Sequence, residues 1–243
     1  MKIIATIEAR MTSSRLPGKV LLPAQGKPML ARMVERLKLV PSLDGIVVAT
    51  TVNATDDPIE ALAAELGIGC WRGSEDDVLA RVLDAAHAFE ADVIVELTGD
   101  CPLIDPKIVE HCIRTYREAQ ADYLSNVLER SFPIGMDTQV FATKILDDAA
   151  RRTDDPTDHE HVSLYIYRHP ELYSLKNVAA PPELHDPDLR LTLDTPQDYQ
   201  LIDQVFAALL PQGADFSLGD ILALLKARPQ LRKINDHVAH RWV

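Results

Sequence analysis

The chain has 243 residues, 47% of them apolar, and a net charge of −12. That is enough apolar material for the core of one large domain, while the negative field works against nonspecific binding of nucleic acid or of an anionic membrane. No apolar run reaches the roughly 18 residues of a membrane-spanning helix, the N-terminus carries no signal-peptide pattern, and Cys70, Cys101 and Cys112 form no C-x-x-C; reduced thiols and a cytoplasmic location are the expectation.

The chain opens on an apolar run, residues 2–7, that reads as a buried strand. It runs into T-I-E-A-R-M-T-S-S-R-L-P-G-K-V-L-L, where Arg10, Arg15 and Lys19 gather with Thr12, Ser13 and Ser14 around a Pro17-Gly18 turn. Cations, hydroxyls and backbone N–H groups leaving the carboxyl end of a first strand suit a polyphosphate, whereas the plainer reading is a solvated basic turn. Pro28 then opens a helix with Leu30, Met33, Val34 and Leu37 on one face. Residues 45–50 read as a second buried strand, and Asp57-Pro58 caps a helix closed by Gly67. A short strand at 68–71 precedes a helix starting at Ser74, and residues 92–97 form a strand that ends in Thr98-Gly99-Asp100-Cys101-Pro102. Asp105-Pro106 caps the next helix. This alternation predicts right-handed crossovers and a mainly parallel sheet, an α/β fold.

From Ala121 the pattern loosens. Strands are expected at 122–126 and 136–141, a helix from Thr143, and a helix through Arg168 opened by a Thr157–Glu160 capping box. An edge strand is expected at 172–178 and a strand at 189–193 running into Asp194. Thr195 caps a helix to about Leu210, and Ser217 with Asp220 opens the last helix, which stops before Pro229. With no repeat or low-complexity linker, residues 1–243 read as one domain, with 125–180 as an inserted subregion over the sheet.

Asp100 and Asp194 each follow a strand in this reading, opposite the basic loop. Two such carboxylates can hold Mg²⁺ against a polyphosphate; Asp194-Thr195-Pro196 also fits an ordinary capping turn. His159 and His161 point to different helix faces, against a zinc site. His161, Leu164, Tyr165 and Arg168 would share a face, as a pocket wall or as plain surface. Asp137 is a candidate substrate contact. Asp186-Pro187-Asp188 lies in a proline-rich turn before a strand, the wrong side for a glycosyltransferase metal motif. Cys101 suits a small buried role better than a nucleophile.

The loop A-R-M-T-S-S-R-L-P-G-K-V-L resembles the signature of the acylneuraminate and 3-deoxy-manno-octulosonate cytidylyltransferases, and most of all that of the spore-coat polysaccharide biosynthesis protein F family. Matches continue through R-G-S-E-D-D-V-L (72–79), E-L-T-G-D-C-P-L-I (96–104), P-I-G-M-D-T-Q-V-F (133–141), E-H-V-S-L-Y-I (160–166) and L-D-T-P-Q-D-Y (193–199). The resemblance implies a Rossmann-like, GT-A-like nucleotidyltransferase fold of three layers, a homodimer, CTP and Mg²⁺ as ligands, and an acidic sugar as acceptor. Carried over residue by residue, Arg10, Arg15, Lys19 and Asp100 would act in catalysis. Ala9, Arg10, Met11, Ser13, Ser14, Arg15, Lys19 and Asp100 would bind the nucleotide, with Arg72, Ser74 and Asp77 near its base. Asp100 and Asp194 would bind the metal. Apart from the resemblance, Asp137, His159, His161 and Arg168, within 125–180, are the candidate acceptor contacts. Glu8 stands where glutamine or proline is expected, so it must bind metal, pair with an arginine or point away. Gln139 replaces an expected glutamate. A glycosyltransferase and a non-catalytic nucleotide-binding protein are the alternatives.

Overall fold

The computed structural model describes residues 1–240. Strand β1 (Ile3–Glu8) lies in the middle of a seven-stranded sheet, and its residues from Ile3 to Ile7 are buried. A strand covered on both faces reads as an unbroken apolar run, as this one does. Chain order continues through a two-residue hairpin, β2 (Pro23–Ala24) with β3 (Lys27–Pro28), then α1 (Met29–Leu37), β4 (Gly45–Thr51), α2 (Asp57–Leu66), β5 (Gly69–Gly73), α3 (Val78–Ala88), β6 (Val93–Thr98) and α4 (Pro106–Ala119). The second half adds β7 (Tyr123–Ser125), β8 (Gln139–Ala142), α5 (Thr143–Ala150), α6 (Pro156–Glu160), α7 (Leu164–Arg168), β9 (Leu175–Asn177), α8 (Pro196–Leu209), α9 (Leu218–Ala227) and α10 (Pro229–Arg232).

The sheet order is β5-β4-β1-β6-β8-β7-β9, and β8 alone runs against its neighbours. Helices cover both faces, giving three layers. One core joins the sheet to α1, α2, α4, α8 and α9; the other joins it to α3, α5 and α7. The carboxyl ends of β1 and β6 are adjacent, Glu8 lying opposite Thr98, and β8 begins at that same end, Gln139 opposite Glu96.

Four local expectations are corrected. The helix expected from Thr157 through Arg168 is two short helices, α6 and α7, and Asp155, not Thr157, caps the first by accepting from the Thr157 N–H. Between them Val162 takes φ 31° and is fully buried. A β-branched residue at positive φ is strained; burying its side chain in the core is what offsets that strain. His161, Leu164, Tyr165 and Arg168 therefore share no single helix face. Residues 189–193 are not a strand: they form one isolated parallel bridge, Ile134 to Arg190, and a separate backbone hydrogen bond from Leu193 N–H to Asp100 O. Leu189, Leu191 and Leu193 alternate into the core, but Arg190 and Thr192 between them are buried too, so the alternation does not mark a sheet with a wet face. Helix α3 starts at Val78 with Asp77 as its cap, while the Ser74 hydroxyl accepts from the N–H groups of Asp76 and Asp77. The residue preceding α2 is Asp56, whose carboxylate serves the neighbouring loop instead of the helix.

Candidate active site

The basic loop is built from β1 outward. Ala9 N–H donates to Ala49 O at 3.4 Å, and Met11 N–H donates at 2.8 Å to the carboxylate of the fully buried Asp56. Asp56 also accepts from the Thr51 hydroxyl and N–H, which ties the loop to the end of β4. Met11 O accepts from Gly18 N–H at 2.9 Å and closes residues 12–17 into a ring. Gly18 has φ 69°, a conformation glycine takes without penalty. One 3₁₀ turn, Lys19–Leu21, follows; it sinks Val20 into the core and turns Lys19 into the cleft. The N–H groups of Ala9 and Met11 are thus committed within the fold.

At the end of β6, Gly99 N–H donates to Glu8 O at 2.8 Å, and a Cβ on residue 99 would lie 2.8 Å from that same oxygen. Only glycine lets the two strand ends close so tightly. The approach sets Asp100 beside the basic loop, and Leu193 N–H to Asp100 O, 2.7 Å, draws in the segment bearing Asp194. The Lys19 ammonium then sits 2.8 Å from both Asp100 Oδ2 and Asp194 Oδ1. Arg15 reaches Asp194 Oδ1 at 3.0 Å, and Thr98 donates its hydroxyl to Asp100 Oδ1 at 2.6 Å. Burial works against the charge on Lys19, but the two aspartates outweigh it and raise the lysine pKa. Burial likewise opposes the charge on Asp194, yet Lys19, Arg190 and Arg15 hold its pKa below the usual carboxylate value. Arg15, Lys19, Asp100 and Asp194 are therefore brought together.

The remaining expected site residues are more dispersed. Arg10 and Thr12 converge on Glu75, at 3.3 and 2.6 Å, and Asn53 donates to the other oxygen of Glu75 at 2.6 Å, so Glu75 clasps the basic loop to the turn after β4. Ser13 is half-buried and Ser14 exposed on the loop's outer side. Arg72 donates to Thr51 O and Asn53 O at 2.8 Å each and pairs with Asp57 and Glu60 at 2.7 Å, bracing that turn. Asp77 caps α3 and shares a 2.8 Å hydrogen bond with His159 Nδ1, which raises the His159 pKa. Asp137 is gripped by Arg130 through two hydrogen bonds of 2.8 and 2.9 Å. His161 is half-buried and Arg168 exposed; among the described residues no hydrogen bond or ion pair joins either to Lys19, Asp100 or Asp194. Asp186 of the D-x-D turn is forked by Arg232.

The Glu8 carboxyl is buried beside that of Glu96, with Arg81 and Arg10 near enough to pull on its charge. Burial pushes the Glu8 pKa up to about 7 against the pull of Arg81, and burial together with Glu8 pushes Glu96 well above its ordinary range. Gln139, opposite Glu96, accepts from Tyr123 and Ser163.

Asp56 and Glu75, which hold the basic loop, Arg130, which grips Asp137, and Arg190, which pairs with Asp194, are contacts that sequence reasoning missed. Asp56 lay inside an Asp-Asp-Pro that reads as a helix cap, and Arg190 inside an apparent strand. As a cation site the centre fits: two carboxylates already share one ammonium, and their oxygens are the hard donors a small divalent ion takes, with water and phosphate completing its shell. Among the described residues no group of three or more histidine, cysteine or acidic side chains is placed to cage a metal.

The cytidylyltransferase family model matches residues 4–224. The spore coat polysaccharide biosynthesis protein SpsF of Bacillus subtilis is 34% identical over 232 residues, 93% of this chain and 95% of that protein. A cytidylyltransferase from Leptospira borgpetersenii superposes with TM-score 0.91 at 33% identity, covering 100% of both chains. A CMP-2-keto-3-deoxy-manno-octonic acid synthetase, solved in complex with CTP, shares the fold with TM-score 0.65 at 21% identity over 86% of this chain and all of its own. With the loop, the two aspartates and the sheet that carries them all in place, the chain belongs to the cytidylyltransferase family.

Proposed function

We propose that this nucleotidyltransferase moves CMP from CTP to a hydroxyl of an acidic sugar, a ulosonic or nonulosonic acid or a close analogue, in cytoplasmic assembly of a surface polysaccharide. The observation that supports it most is the convergence of Lys19, Arg15, Asp100 and Asp194 at the ends of β1 and β6. The acceptor oxygen attacks the α-phosphorus in line, the bond from that phosphorus to the bridging oxygen breaks, and pyrophosphate leaves. Lys19 and Arg15 turn to the β- and γ-phosphates and stabilise charge on the leaving group. Asp100 and Asp194 would hold Mg²⁺, which when bound supplies Lewis-acid polarisation of the α-phosphate. Asp137, held by Arg130, would contact the acceptor in this reading.

The test is pyrophosphate release with CTP, Mg²⁺ and a panel of acidic sugars and neutral controls. Turnover with at least one acid and CTP is the expected result; release of a nucleoside diphosphate from a nucleotide sugar, with no pyrophosphate from CTP, overturns the reading. Asp100→Ala and Asp194→Ala should each lower turnover about 100-fold or more, as loss of one preorganised transition-state contact does. Normal turnover of both variants at limiting Mg²⁺ would remove the metal assignment. The homodimer of this reading is checked by a light-scattering mass near twice 27.0 kDa.

A further inference from the structure

Arg190 lies behind the cleft, 4% exposed, and each side of its guanidinium is used. Nη2 donates to Asp194 Oδ2 at 2.7 Å. Nε and Nη2 fork onto the fully buried Asp198 at 2.8 and 3.0 Å. Nη1 meets His240 Nδ1 at 2.9 Å. Asp198 in turn accepts from the N–H groups of Asp194 and Thr195, at 3.0 and 2.9 Å, so backbone and side chain of Asp194 are held by one assembly. Asn235 closes it from below, donating to Asp198 Oδ1 at 2.8 Å and to Arg190 O at 3.1 Å. Asn235 and His240 both lie beyond residue 224, where the family match ends.

We propose that Arg190 is a positioning residue for the metal-side carboxylate, and that residues 235–240 form a brace completing the site. The assignment rests on the proposed role of Asp194. Arg190 captures Asp194 Oδ2 and leaves Oδ1 alone to face the cleft, where Lys19 and Arg15 now meet it. A carboxylate fixed this way offers one oxygen in one direction. A lysine at 190 keeps a positive charge but cannot fork Asp198 and reach Asp194 from one rigid plane.

The experiment measures CTP affinity by calorimetry, without acceptor, once in EDTA and once with excess Mn²⁺; the ratio of the two dissociation constants is the metal-linked gain. Arg190→Lys should shrink that ratio by about 10-fold or more, in the range found when a residue orienting a ligand is lost, while affinity in EDTA stays within about threefold. Asn235→Ala, which leaves every group in the cleft in place, should move the ratio the same way by less, so the idea stays testable should Arg190→Lys not fold. An unchanged ratio in whichever of these variants fold, or equal loss in EDTA and in Mn²⁺, overturns the positioning role. Asp194→Asn separates the two levels. If it abolishes the metal-linked gain while Arg190→Lys and Asn235→Ala leave it intact, only the role of Arg190 and its brace falls; if it too leaves the gain intact, the reading of Asp194 falls with it.

Discussion

Glu8 ends the strand that feeds the basic loop, and its carboxyl lies beside another acid, Glu96. Its proton affinity in the folded chain, about 7, exceeds the ordinary 4.5. Between those values the native protein holds more protons than the unfolded one, so stability falls as pH rises through this window, and the cost is complete above about pH 7. Burial is its main source; Arg81, Arg10 and the neighbouring Glu96 carboxyl soften it, and Asp100 sharpens it. Glu8→Gln is neutral at every pH. The variant should match the parent in melting temperature near pH 4.5 and exceed it at pH 8, read by thermal unfolding at a series of pH values. A difference that does not change with pH would sink the idea. The same pair explains why residue 139 is an amide: a glutamate facing Glu96 would make a third carboxyl in a buried cluster, so an acid present at 8 goes with one absent at 139. Sequence showed both departures. It did not show that they meet, because the meeting depends on β8 lying beside β6 with Gln139 opposite Glu96.

Among the elements, those carrying a strong period were legible: β1, β4 and β6, and the capped helices α4, α8 and α9 stand where apolar spacing and cap residues put them. What escaped were segments whose residues serve a distant partner. Asp56 precedes a helix but gives that helix no side-chain bond, because Met11 and Thr51 claim its oxygens. The loop thus owes its shape to a residue outside it. Asp56→Ala leaves Met11 N–H and Thr51 without their acceptor. It should cost about 1–3 kcal/mol of stability, measured by chemical denaturation, and raise KM for CTP more than it lowers kcat. Wild-type stability with unchanged KM would show that the loop holds its form unaided. Residues 189–193 misled for a related reason. Buried Arg190 and Thr192 between leucines imitate a two-sided strand, and only the ring of Asp194, Asp198 and His240 around Arg190 shows what the arginine is for.

Across the whole molecule, parallel strands β1 and β6 deliver Asp100 and the basic loop to one edge, and the chain then travels through β7, β8 and β9 before Asp194 returns to them. Asp100, Arg15, Lys19 and Asp194 stand out from their motifs, and the fold brings the four side chains together. The duties of Arg72, Asp77 and His159 were not legible, since each is set by a neighbour far along the chain. The protein carries twelve more negative than positive charges, but its cleft is locally balanced, because Lys19 and Arg15 together face the carboxylates of Asp100 and Asp194. The cleft at rest holds its own counter-ion. On the proposed function, loading it would be an exchange: a divalent ion would gain Asp100 and Asp194 as Lys19 let go, and Lys19 would let go when a triphosphate offered it other oxygens. Nucleotide and metal should therefore arrive together, with Mn²⁺ binding feebly to the protein alone. Lys19→Met should reverse that preference, tightening Mn²⁺ in the absence of CTP while weakening CTP itself. Counting free Mn²⁺ by paramagnetic resonance would show it, and a variant that binds the ion no better than its parent would mean that the lysine is not the tenant of that place.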